Sequence, residues 1–164
     1  MRFLGTVEAK VDAKGRVFLP ASFRKVLGET NVSSFVLRKD IFQPCLVLYP
    51  EPVWNQMLDS LRSSLSRWNR HDQMVFRQFV ANVEPIVLDT NGRFLIPRRH
   101  QQMAAIEGGV RFVGMDDYIE IWSDNDALTP VMDDDQFAQE IETRMARALG
   151  GEDGDFGKQT HISQ

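Results

Sequence analysis

Apolar residues recur along this chain in two registers, one helical and one strand-like. Trp54, Met57, Leu58, Leu61, Leu65 and Trp68 follow a helical spacing that leaves Asp59, Arg62 and Arg67 on the opposite face, predicting a helix over 52–68. A second helical segment, 69–81, carries Val75, Phe76, Phe79 and Val80. A third, 131–149, presents Phe137, Ile141, Met145 and Leu149 as an i, i+4 stripe and is expected to stop at Gly150-Gly151. These stripes read as core or subunit packing. Strand patterns cover 3–11, 46–49, 83–88 and 118–122. Two short helical patterns intervene: Phe23, Val26 and Leu27 before Gly28, and Met103, Ala104 and Ile106 before Gly108. Pro20 and Pro97 suit their first positions.

The order of these elements repeats. Residues 12–20 read Asp-Ala-Lys-Gly-Arg-Val-Phe-Leu-Pro, and residues 89–97 read Asp-Thr-Asn-Gly-Arg-Phe-Leu-Ile-Pro, at an offset of 77. Asp, Gly, Arg and Pro match in identity, with three apolar residues between Arg and Pro in both. Strand, turn, strand, helix, strand, strand and helix then follow one another twice.

Each repeated turn has a physical reading. Gly15 and Gly92 carry no Cβ and so accept the positive φ that a tight reversal demands. Asp12 and Asp89 can fold a carboxylate back onto backbone N–H groups two residues on, or hold the following Arg by a charge-assisted hydrogen bond. Strand alternation sets Val17 and Leu19 on one face, Arg16 and Phe18 on the other. A guanidinium on a rigid turn suits bidentate contact with phosphate or a guanine edge. Lys10, Lys14 and Arg16 should cluster at one turn with Arg24 and Lys25 nearby, whereas the second repeat offers Arg93, Arg98 and Arg99. The plainer alternative is an Asp–Arg pair that only clamps the turn.

Charge distribution reinforces the first reading. The net charge of −4 conceals +4 over residues 1–40, +2 over 41–115 and −10 over 116–164. The repeated body is therefore basic and compatible with a polyanionic partner. The acidic end reads as a solvated helix face and tail, or more sharply as a device that keeps DNA from the wrong surface or competes for the basic turns.

Other classes find little support. A single cysteine, Cys45, allows no intrachain disulfide and reads as core, not nucleophile. His71, His100 and His161 are scattered without metal-ligand spacing, and His100 reads as a packed or exposed helix residue. No Gly-rich phosphate-binding signature accompanies Gly15-Arg16. No enzyme, cofactor or small-molecule substrate is expected. The first residues lack a signal-peptide core and no run reaches the roughly 18 apolar residues of a membrane span, so a soluble protein of a reducing compartment is expected. Single-strand RNA reading would call for exposed aromatic platforms, and only Phe18 is a candidate.

Asp12-Ala-Lys-Gly-Arg16 with Leu19-Pro20 and Phe23-Arg24, repeated as Asp89-x-x-x-Arg93, resembles the bacterial MraZ family over about residues 2–149. The resemblance implies an α+β fold: two pseudo-symmetric swapped-hairpin halves of AbrB/SpoVT type forming a small β-barrel with flanking helices. Residues 1–76 would form the first repeat, 77–149 the second, and 150–164 a disordered tail. It further implies a sequence-specific DNA-binding transcriptional regulator, with repression the expected outcome. Its partners would be double-stranded DNA bearing repeated operator boxes before the division and cell-wall gene cluster, and further copies of itself in a ring. Its location would be the cytoplasm and nucleoid. The functional motif carries over onto Asp12 and Arg16, and by repetition onto Asp89 and Arg93. The chain departs from the pattern at Asn91, and at His100 where the first repeat has Phe23, which weighs against an equal DNA role for the second repeat. Lys14 and Arg24 are assigned to phosphate and Arg16 to a base or groove contact. The rival reading is a ring-forming interaction scaffold without DNA readout.

Overall fold

The computed structural model describes the backbone of residues 1–125 and 129–162, and side chains over 1–125 and 129–150. The fold class is α+β. The first repeat supplies β1 (Thr6–Lys10), β2 (Arg16–Phe18), α1 (Ala21–Gly28), β3 (Ser34–Lys39) and β4 (Leu46–Pro50). Two helices follow, α2 (Glu51–Ser64) and α3 (Arg70–Val80). The second repeat supplies β5 (Glu84–Val87), β6 (Arg93–Leu95), α4 (Arg98–Met103), β7 (Gly109–Gly114) and β8 (Ile119–Ser123), and α5 (Asp134–Ile162) comes last.

Strand pairing crosses between the repeats. A six-stranded antiparallel sheet runs β1-β7-β8-β4-β3-β5, and β2 pairs with β6 in a separate two-stranded ribbon. Exchanging the repeats maps this pattern onto itself: β1·β7 becomes β5·β3, β3·β4 becomes β7·β8, while β4·β8 and β2·β6 map to themselves. The expected barrel is not closed, because β1 and β5 are sheet edges with no pairing between them among the described residues. The boundary expected between 76 and 77 falls inside α3, and residues 1–129 form one compact unit. Both sheets draw strands from both repeats.

Burial follows the alternation. Val17 and Leu19 point inward with Phe94 and Ile96, and join Phe23, Phe35, Leu46, Leu48, Phe112 and Ile121 in the main core. The central strand β4 is buried along its whole length, Leu46 and Leu48 toward that core, Val47 and Tyr49 toward a second cluster with Trp54. This explains its continuous apolar run. The helices α2 and α3 cover that second face, where Trp54 stacks on Phe79 with centroids 5.3 Å apart. Trp68, expected in the α2 stripe, lies beyond the end of that helix and is 96% exposed. The chain leaves helical φ/ψ at Leu65, so the period no longer places Trp68 on the packed face.

Residues 130–164 form a second compact unit built on α5. Its stripe of Phe137, Ile141, Met145 and Leu149 is exposed, so it is not core. The helix bounds pass the Gly150-Gly151 pair expected to end it, since glycine costs a helix only about 1 kcal/mol. The expectation of a disordered tail over 150–164 falls, from 151 onward, on side chains outside the described residues. Among the described residues no helix is long and apolar enough to cross a membrane.

Candidate nucleic-acid interface

Each Asp-x-x-Gly-Arg segment closes on itself through one carboxylate. Asp12 Oδ1 accepts from the backbone N–H of Lys14 at 3.0 Å and of Arg16 at 2.8 Å, while Oδ2 accepts from Arg16 Nε at 2.8 Å. Asp89 repeats this with Asn91 N and Arg93 N, both at 2.9 Å, and Arg93 Nε at 3.0 Å. The two roles weighed for the aspartate, turn lock and arginine holder, are thus both performed, one by each oxygen. The backbone hydrogen bonds from Arg16 and Arg93 are the largest cause holding both carboxyls below the ordinary value of 3.8; the arginine side-chain bonds act in the same direction.

The arginines are oriented but not consumed. Nε faces the carboxylate, leaving the two terminal guanidinium nitrogens without a hydrogen-bond partner among the described residues. Gly15 and Gly92 have φ of +87° and +82°, the left-handed values their lack of Cβ permits.

Beyond each turn the chain does not pair back on the strand it left. Leu19 N donates to Gly92 O at 2.9 Å, and Ile96 N donates to Gly15 O at 2.9 Å, so each turn is braced by the other repeat's return strand. Helix residues cross over as well. A Cβ at position 92 would lie 2.6 Å from Arg24 Cδ, and one at position 15 would lie 2.6 Å from Gln101 Nε2. Arg24 and Gln101 are equivalent at the 77-residue offset. Arg24, expected beside Lys14 and Arg16, instead lies over the second turn. The first turn therefore carries Lys14 and Arg16, and the second carries Arg93 and Arg24. The cation that Asn91 fails to supply reaches the second turn from the first repeat. Chain order alone could not reveal this, because it depends on which copy of α1 or α4 packs against which turn.

The remaining candidates fall elsewhere. Cys45 is buried and burial pushes its thiol up to about 12, which suits core packing. His100 is buried, its Nε2 3.0 Å from Asn82 O and its Nδ1 without a partner.

A family model described as "MraZ protein, putative antitoxin-like" matches residues 2–78 and again 79–127. The chain belongs to the MraZ family. It is 57% identical over 145 residues to the transcriptional regulator MraZ of Phocaeicola vulgatus, covering 88% of this chain and 94% of that protein. It is 50% identical over 145 residues to the protein of the same name from Bacteroides thetaiotaomicron, covering 88% and 93%. The transcriptional regulator MraZ of Christiangramia forsetii is 34% identical over 157 residues, covering 94% and 97%. In each pairing the alignment extends well beyond the turn motifs. The two stretches matched to the MraZ model each contain one of the two turns, which share one geometry and lead into the paired strands β2 and β6.

Proposed function

We propose that this chain is a sequence-specific DNA-binding transcriptional regulator, acting as a repressor, whose two halves form a swapped-hairpin unit through β2 and β6. The carrying observation is the pair of equivalent turns, each rigidified by its own aspartate and each holding two cations with their terminal nitrogens free for an anionic partner. The relatives' shared name supports the regulatory reading, and the basic charge of residues 1–115 supports a polyanionic ligand. Arg16 and Arg93 contact bases or the groove, while Lys14 and Arg24 neutralise phosphate. Asp12, Gly15, Asp89 and Gly92 fix the turns. Its ligand is double-stranded DNA with repeated boxes upstream of its own gene and the division and cell-wall cluster, met in the cytoplasm at the nucleoid.

Weak single contacts add up when several copies bind several boxes together, which calls for a homo-oligomer, in this reading a ring. The exposed apolar stripe of α5 supports contact between copies. That same stripe favours the rival reading, an assembly scaffold that never touches DNA.

A footprint on the upstream DNA, repeated with Arg16→Ala, separates the two. Regularly spaced protection that disappears in a folded, still oligomeric Arg16→Ala variant is the expected result. Unchanged protection by that variant sinks the site assignment, and no retardation even at low salt supports the scaffold. Lys14→Ala should flatten the slope of log K against log salt by about 0.9.

A further inference from the structure

The outward face of the β2·β6 ribbon holds two apolar side chains that packing does not explain. In the register, Arg16 stands opposite Leu95 and Phe18 opposite Arg93, with Val17 and Phe94 pointing into the core between them. Phe18 is 52% exposed and Leu95 51%. The two are equivalent at the 77-residue offset, so both repeats keep an apolar group at the same outward position. The face is therefore two guanidinium–apolar pairs related by the exchange of repeats. The Arg93 guanidinium carbon lies 5.7 Å from the centroid of the Phe18 ring, which orients ring and cation together. Lys14 and Arg24 lie at the two turns that lead into this ribbon, and the carboxylates of those turns, Asp12 and Asp89, are engaged by backbone N–H groups and arginine Nε.

An apolar pair inside a cationic rim selects its partner. A protein surface acidic enough to match the rim would leave the apolar centre unmatched. The major groove of duplex DNA offers both features, phosphates at its walls and thymine C5-methyl groups on its floor, and it admits a two-stranded antiparallel ribbon. The minor groove displays no methyl group. Resting on the DNA-binding reading above, we propose that Phe18 and Leu95 are specificity-determining residues that pack against thymine methyl groups in the major groove. Arg16 and Arg93 position the ribbon and engage the neighbouring polar edges.

Deoxyuridine differs from thymidine only by that methyl group, so it gives a direct test. The upstream fragment is prepared with either thymidine or deoxyuridine throughout, and binding is compared for the full chain and for the Phe18→Ala/Leu95→Ala variant. Both side chains are exposed, so the double variant should fold, and scattering mass in solution checks its assembly. Burying one methyl changes affinity about fourfold and two about fifteenfold. The wild-type chain is expected to prefer thymidine DNA by a factor in that range, with the double variant binding both fragments alike and Phe18→Leu keeping part of the preference. Equal wild-type binding to both fragments overturns the thymine assignment and leaves the DNA-binding reading standing. A preference that survives in the double variant overturns it too, because the methyls are then sensed elsewhere. A changed mass of the double variant would make the face a contact between copies and likewise overturn it. Failure of the wild-type chain to retard either fragment at low salt removes the DNA-binding reading itself.

Discussion

Asp12 and Asp89 show how much a single side chain can organise. One oxygen serves two backbone N–H groups and the other serves an arginine Nε, so turn shape and arginine direction are coupled. Both pKa values are lowered, so the folded state favours the ionised form. That contribution is present above the ordinary carboxylate value and is lost only as pH falls through the depressed folded value. Carboxyl NMR should therefore give midpoints below 3.8 for both residues, and Arg16→Leu should move that of Asp12 upward. A midpoint at or above 3.8 in the wild-type chain would contradict the turn chemistry. The glycines add a second residue-scale prediction. Alanine at position 92 faces a left-handed φ and meets Arg24, so Gly92→Ala should cost about 1–2 kcal/mol in chemical denaturation. It should also displace Arg24 and weaken DNA retardation beyond what the stability loss explains.

At the level of elements, periodicity was a good guide where an element is packed on one face. Alternation in β2 was legible from Val17, Leu19, Arg16 and Phe18 alone and burial agrees at each, while the structure gives β6 the same pattern. The α2 stripe was legible through Trp54, Met57 and Leu58 but overran at Trp68, because a stripe of apolar letters continues through a helix end that the backbone does not. The contrast is measurable. Trp54 is buried and stacked on Phe79, tying α2 to α3, so Trp54→Ala should lower stability by about 3–5 kcal/mol. Trp68→Ala should stay within about 0.5 kcal/mol of wild type in the same denaturant titration.

For the whole molecule, the central fact is that neither repeat completes a sheet. The partners of β1, β2 and β4 across the repeat, β7, β6 and β8, all lie in the second half. A fragment ending at 78 leaves those edges unpaired and the main core without Phe94, Phe112 and Ile121. Expressed alone it should show collapsed amide dispersion in NMR spectra or self-associate. Mixing it with residues 79–164 should restore the dispersion of the intact chain. A well-dispersed monomeric spectrum from the isolated first half would refute the interleaved sheet.

Read alone, the sequence determined what is local. Helical and strand periods, the Asp-x-x-Gly-Arg turns, and the inward and outward faces of β2 all follow from residues within a few positions of one another, and the segregation of acid from base follows from composition along the chain. The tertiary structure alone decided which copy of each repeated element meets which. The two repeats carry the same pattern, and backbone hydrogen bonds are alike whichever strand supplies them, so pairing within a repeat and pairing across repeats look identical in the letters. Packing makes the choice: crossing over lets Phe23, Phe94 and Phe112 share one core. That choice carries Arg24 to the second turn and sets Phe18 beside Arg93, so the chemistry of the candidate interface belongs to neither repeat by itself.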